Sequence, residues 1–182
     1  MKKNFKNKSC RIIDIGTGSG AIAISLLMED VAKIEMTITD ISDKALKLAQ
    51  ENFFTHKYSI SPSHKVTFIK SDRLKQVPGT FDMILSNPPY IKEKADVENV
   101  HFQVKNFEPH LALFLPDEEY SLWFQEFFTS IYEKLSDQGI SLIEGHESHL
   151  GGLADIAKTI GFKEAVVIQD YTQRNRFLKL KK

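Results

Sequence analysis

Short apolar runs alternate with amphipathic stretches along almost the whole chain, a pattern that predicts strands separated by helices. Residues 10–15 (Cys-Arg-Ile-Ile-Asp-Ile) read as a buried strand and 21–28 as a helix. Residues 34–39 and 66–70 read as two further strands, with a helix over 43–54 between them. That helix has Ser42 as its N-cap and Ala45, Leu46, Leu48, Ala49 and Phe53 as its apolar stripe. A fourth strand over 81–86 runs into Asn87. Residues 92–116 then show mixed charge and no sustained period, a loop long enough to suggest function. Phe102, Phe107, Leu111, Leu113 and Phe114 would anchor it as an ordered cover. Helical spacing resumes at Asp117, with Leu122, Phe124, Phe127, Phe128, Ile131 and Leu135, and is expected to end near Gly139. A strand over 140–144, a helix over 150–160 closed by Gly161, and a hairpin of strands over 163–169 and 176–180 complete the chain. The expected architecture is one α/β domain over residues 1–182, with seven strands, all parallel except one in the C-terminal hairpin, and helices on both faces.

The candidate chemistry collects where these strands end. The first runs into Gly16-Thr17-Gly18-Ser19-Gly20, whose glycines let the backbone turn sharply and a ligand come close. The helix that follows turns unpaired N–H groups toward an anion. Strand, glycine loop and helix in that order bind nucleotide-like cofactors in open α/β sheets. The spacing is G-x-G-x-G, so it departs from the dinucleotide fingerprint, and no G-K-[ST] follows to cradle phosphates. Asp40 ends the second strand twenty residues past Gly20, where a carboxylate accepts the hydrogens of a ribose diol. Asp72 ends the third, either on the same rim or as the cap of a turn at Arg73. Asp14 is either an acceptor for the loop N–H groups or a ligand contact. At the end of the fourth strand, Asn87-Pro88-Pro89-Tyr90 cannot continue a ladder, because proline has no N–H and a fixed φ. The Asn87 carboxamide, the Pro88 carbonyl and the Tyr90 ring would grip a planar –NH₂ by both hydrogens and one face.

Taken together, these residues resemble the class I S-adenosylmethionine-dependent methyltransferases, and within them the HemK-type protein-(glutamine-N5) methyltransferases that modify peptide chain release factors. The resemblance rests on 14–23, Thr39-Asp40-Ile41-Ser42, Ser71-Asp72, 81–91, Glu108-Pro109-His110-Leu111-Ala112-Leu113 and Arg174-Asn175-Arg176. It implies a Rossmann-like fold, S-adenosylmethionine as donor with S-adenosylhomocysteine as product, and a release factor as protein substrate. By the same resemblance Asp14, Gly16, Thr17, Gly18, Gly20, Asp40, Ile41, Asp72 and Asn87 would hold the cofactor. Asn87, Pro88, Pro89 and Tyr90 would hold the acceptor amide. Two departures stand out. Only thirteen residues precede Asp14, so the helical substrate-recruiting domain of the family and its Pro-Arg-x-x-[ST]-Glu loop are not expected here. The family's Leu-Glu-Ile-Gly is Leu142-Ile143-Glu144-Gly145-His146, which leaves Glu144 without an assigned role.

Composition narrows the partner. Lys+Arg and Asp+Glu both total 24, for a formal charge of zero. Nucleic-acid affinity rests on several cationic contacts to phosphate, so direct nucleic-acid binding is not expected and a protein target fits better. Two other readings stand beside it: an adenine-N6 methyltransferase, which would need a flipped base and a basic channel, and a non-catalytic cofactor-binding fragment. Cys10 is the single cysteine, no run approaches a membrane span, and the start Met1-Lys2-Lys3-Asn4-Phe5 has no export core. The cytoplasm is the expected address, and no membrane partner is expected. The six histidines show no metal-ligand spacing and are expected in surfaces and loops. The aromatic stripe from Trp123 to Phe128 is expected in the core.

Overall fold

A computed structural model describes residues 9–29, 32–96 and 110–182. Seven strands form one sheet: β1 (Cys10–Ile15), β2 (Ile34–Asp40), β3 (Lys65–Lys70), β4 (Phe81–Ser86), β7 (Leu135–Glu144), β8 (Glu164–Gln169) and β9 (Asn175–Lys181). Two short strands, β5 (Ile91–Lys92) and β6 (Phe114–Leu115), pair in parallel apart from it. The helices are α1 (Ala21–Met28), α2 (Asp43–His56), α3 (His110–Leu113), α4 (Tyr120–Lys134) and α5 (Leu150–Ile160). The sheet order is β3-β2-β1-β4-β7-β9-β8. β9 alone runs against its neighbours, and it lies between β7 and β8. The seven strands and the reversed hairpin strand agree with the sequence pattern.

Alternation in β1 sends side chains into two apolar layers. Ile13 and Ile15 join Ile84, Phe124, Phe128 and Leu178 on one face, while Ile12 joins Met36, Ile38, Ala23 and Ala49 on the other. Helices therefore cover both faces of a mostly parallel sheet, the usual requirement for strands buried on two sides. On the first face α4 supplies Phe124, Phe127 and Phe128, each no more than 1% exposed. Their rings and that of Trp123 lie 5.0–6.1 Å apart, in tilted or edge-on contacts. α2 starts as expected, with the Ser42 hydroxyl accepting the Ala45 N–H at 3.3 Å.

Two boundaries differ from the sequence reading. α4 stops at Lys134, and β7 begins at Leu135, five residues before Ile140. Leu135 pairs with Phe81 and is 1% exposed, so burial pulls it into the sheet; a bulge then separates it from the Ile140–Met83 pair. A Cβ at Gly139 would meet the Leu135 side chain at 2.8 Å, so this glycine serves the bulge and not a helix end. At its other end α4 starts at Tyr120 and not Asp117, because the Asp117 carboxylate accepts the N–H groups of Lys94 and Ala95 at 2.8 and 3.2 Å.

The stretch expected to be an irregular cover contains β5, α3 and β6 in its described part. Ile91, Leu113 and Phe114 form a small cluster against Tyr90. Phe102, Phe107 and Glu108-Pro109 lie outside the described residues, as does the Leu111 side chain.

Candidate active site

The ends of β1, β2, β3 and β4 meet around a cavity of about 330 Å³. β1 supplies Ile15 and Gly16, β2 supplies Asp40 and Ile41, the exit of β3 supplies Ser71, Asp72 and Arg73, and β4 supplies Ser86, Pro88 and Pro89. The opposite wall is apolar and aromatic: Phe114, Leu115, Trp123 and Phe127, with Pro116 and Glu119 beside them. Its size and mixed lining suit a small organic ligand. Of the residues singled out in the sequence, Gly16, Asp40, Ile41, Asp72, Pro88 and Pro89 share this cavity. Asp14, Thr17, Gly18, Gly20, Asn87 and Tyr90 do not line it.

Their positions explain why. Asp14 is fully buried beneath the loop, and its Oδ2 accepts the Thr17 hydroxyl at 2.6 Å. Asp14 thus serves the loop as an acceptor for the Thr17 hydroxyl and stands back from the cavity wall. Burial pushes its carboxyl up to about 6, against the pull of the Thr17 hydroxyl and the Ala23 N–H at the start of α1. The Thr17 N–H donates to the Thr39 carbonyl at 2.9 Å, so the loop is strapped to β2. Asp40 anchors the other side: Oδ2 accepts the Gly18 N–H at 3.0 Å and Oδ1 the Ser42 N–H at 2.9 Å. Both contacts fix the plane of the carboxylate and leave each oxygen a further lone pair. At Gly18 a Cβ would meet nothing within 4 Å, whereas at Gly20 it would press on Ala49 and Ile24. The first glycine leaves open space above the loop; the last lets α1 and α2 approach.

Asp72 lies on the wall, but its carboxylate is engaged by Lys75 and by Arg73 Nε at 3.3 Å. Lys75 first, then Arg73, hold it below the usual carboxylate range. Arg73 itself adopts φ 54°, an uncommon conformation for a side-chain-bearing residue. It stacks over Trp123 at 5.5 Å and pairs with Glu126 at 3.1 Å.

Asn87 is exposed on the lip between the two cavity residues Ser86 and Pro88, and its carboxamide has no hydrogen bond among the described residues. Tyr90 is half-buried, and its hydroxyl donates to Glu144 Oε1 at 3.1 Å. Burial first, then the Glu144 charge, raise that phenol to about 12. Arg176 Nη1 stands 3.7 Å from the same Glu144 oxygen. Sequence reasoning left Glu144 without a role; the quoted Arg174-Asn175-Arg176 stretch was the signal that its partner lay on the last strand. Trp123 and Phe127 were read as core only, because helical spacing shows which face is apolar and not that the face borders a cavity.

Seven strands in this order, with a reversed last strand and a glycine loop on the carboxyl rim, define the class I methyltransferase fold. Solved structures agree on the fold. A ribosomal protein L11 methylase from Lactobacillus delbrueckii subsp. bulgaricus superposes with a TM-score of 0.62 at 19% identity, over 96% of this chain and 69% of that one. TrmK of M. capricolum, solved with S-adenosyl-homocysteine, gives 0.54 at 17%, over 97% and 64%. The chain belongs to the methyltransferase small domain family, whose model matches residues 1–110. Among curated proteins it is 32% identical over 183 residues to a release factor glutamine methyltransferase of Flavobacterium psychrophilum, covering 99% of this chain and 62% of the relative. It is 36% identical over 171 residues to one of Lactococcus lactis subsp. lactis, covering 93% and 53%. The chain thus spans between half and two thirds of the length of these relatives. No helix among the described residues is long and apolar enough to cross a membrane.

Proposed function

We propose that this chain is the catalytic domain of an S-adenosylmethionine-dependent enzyme that methylates a glutamine side-chain amide in a peptide chain release factor. The observation that carries the reading is the Asn87 carboxamide, exposed and unpartnered among the described residues, on a diprolyl lip beside a glycine-loop cavity. The names of the relatives support the choice of substrate.

The cavity fits the donor. Open space above Gly16, an oriented Asp40 carboxylate and the apolar wall of Trp123, Phe127 and Phe114 suit the peptide-like, ribose and flat parts of such a molecule. When bound, S-adenosylmethionine supplies a methyl group on a positive sulfur, so no metal or redox partner is needed to activate it. Asp40 would accept ribose hydroxyls, and Gly16 and Ile41 would border the same ligand. Asp14 acts one layer down, holding Thr17 and hence the loop.

At the acceptor side the difficulty is the amide nitrogen, whose lone pair is delocalised; full rotation out of conjugation costs about 18–20 kcal/mol. Holding nitrogen and methyl in near-attack geometry contributes about 7–11 kcal/mol. The Asn87 oxygen and the Pro88 carbonyl would draw on the two N–H bonds and favour positive charge building on nitrogen. Tyr90, fixed through Glu144, would hold the amide plane. The proton can leave after transfer, so no strong base is required.

The test is Asn87→Ala. Methyl transfer to a release factor, followed by mass spectrometry of the target glutamine, should fall by orders of magnitude while S-adenosylhomocysteine affinity stays within a few-fold. An equal fall in both would make Asn87 structural. Labelled methyl appearing on RNA, and not on release factor, would move the assignment to an adenine amine.

A further inference from the structure

Two histidines meet an aspartate away from the glycine loop. Asp96 follows β5, and His146 and His149 sit three residues apart on the turn that enters α5. One ligand atom from each of the three lies within 4.8 Å of the others. His149 Nε2 and Asp96 Oδ2 are 2.8 Å apart, with side chains 18% and 10% exposed. The two imidazoles are tilted against each other, their centroids 5.1 Å apart. The aspartate is held in place, since Oδ2 also accepts the Lys92 N–H at 2.9 Å. The His149 ring rests on the edge of Tyr120 at 5.3 Å. The backbone thus brings together residues fifty apart in sequence, and the burial of Asp96 makes a cationic partner valuable.

We propose that Asp96, His146 and His149 form a site for a zinc-type divalent metal that fastens the segment after Asn-Pro-Pro-Tyr to the turn between β7 and α5. Two imidazoles and one carboxylate suit Zn²⁺ and disfavour Mg²⁺ and Ca²⁺, which take oxygen ligands. Ligands on tetrahedral zinc, at about 2.0–2.1 Å from the ion, stand roughly 3.3 Å from each other. The Asp96–His149 pair therefore opens by about half an ångström to admit the ion. His146 is only half-buried and closes the triangle by a side-chain rotation. Its Nδ1 contact with the Ser148 N–H, at 3.4 Å, is long enough to yield. Water takes the fourth position. Tyr120, under His149, donates to the Tyr90 carbonyl at 3.3 Å, so a metal here would stiffen the acceptor wall without touching the acceptor.

Tag-free protein stripped with chelator is titrated with Zn²⁺ by calorimetry, with Mg²⁺ as a parallel arm. One Zn²⁺ per chain, a higher unfolding temperature and no response to Mg²⁺ are expected. Co²⁺ should give the visible bands of a tetrahedral nitrogen and oxygen shell. His146→Ala and His149→Ala should each weaken uptake beyond the roughly 10–100-fold that an outer partner costs. His110→Ala, which removes the partner of Glu93 elsewhere, should leave it unchanged. Circular dichroism checks that the half-buried His146 variant remains folded. No uptake by wild type, or uptake that survives both ligand replacements, overturns the proposal.

Discussion

Replacing Gly18 and Gly20 one at a time by alanine separates what the glycine loop does for the fold from what it does for a ligand. Both lie at positive φ, 57° and 83°, where an added Cβ costs about 1–2 kcal/mol. At Gly18 the new methyl meets nothing within 4 Å, so the cost stops there. At Gly20 it lands 3.1 Å from Ala49 Cβ and from Ile24 Cδ1, and 3.3 Å from the Ala49 Cα. The Ile24 tip can turn aside, but the α2 backbone cannot, so overpacking adds about 1–3 kcal/mol. Urea unfolding followed by circular dichroism should therefore show losses of about 1–2 kcal/mol for Gly18→Ala and about 2–5 kcal/mol for Gly20→Ala. Affinity should rank the other way. On the proposed function, the Gly18→Ala methyl would project into open space above the loop on the side the donor enters, and calorimetry with S-adenosylhomocysteine should show binding weaker by about tenfold or more, near 1.4 kcal/mol. Gly20→Ala, where still folded, should bind within a few-fold of wild type. Equal stability losses, or an unchanged affinity in Gly18→Ala, would refute the division.

Asp14→Asn keeps an acceptor for Thr17 and removes a titration. The folded carboxyl lies near 6, above the ordinary 3.8, so its protonation supports the fold at low pH and that support is lost as pH rises through this window. The Asn variant should gain on wild type between pH 4 and 6, by up to about 3 kcal/mol; parallel stability curves would contradict the burial argument. Tyr90→Phe removes the hydroxyl that donates to Glu144. It should cost about 1–3 kcal/mol in denaturant unfolding and lower turnover with the donor KM unchanged; a raised KM alone would place Tyr90 in cofactor binding.

The strand ends were the legible part of this chain. Gly16, Asp40, Asp72 and Pro88 lie far apart in sequence yet reach one cavity because parallel strands with local crossovers bring successive carboxyl ends to one rim. The β7 boundary was not legible, since a helical pattern that includes Leu135 gives no sign that Phe81 will claim it as a strand partner. The engagement of the Asp72 carboxylate by Lys75 and Arg73, and of Tyr90 by Glu144, depends on side-chain reach that spacing does not encode. The meeting of Asp96 with His149 is the same case at longer range: neither neighbourhood looks like a ligand set alone.

The insertion of β9 between β7 and β8 has a consequence for synthesis. Among the described residues β8 hydrogen-bonds to no other strand than β9, and Glu144 meets Arg176 across the β7–β9 seam. Until residues 175–181 leave the ribosome, the nascent chain carries two unzipped strand borders and a Tyr90–Glu144 pair lacking its guanidinium brace. Completion of the site therefore waits on the emergence of residues 175–181, however early the rest of the sheet has formed.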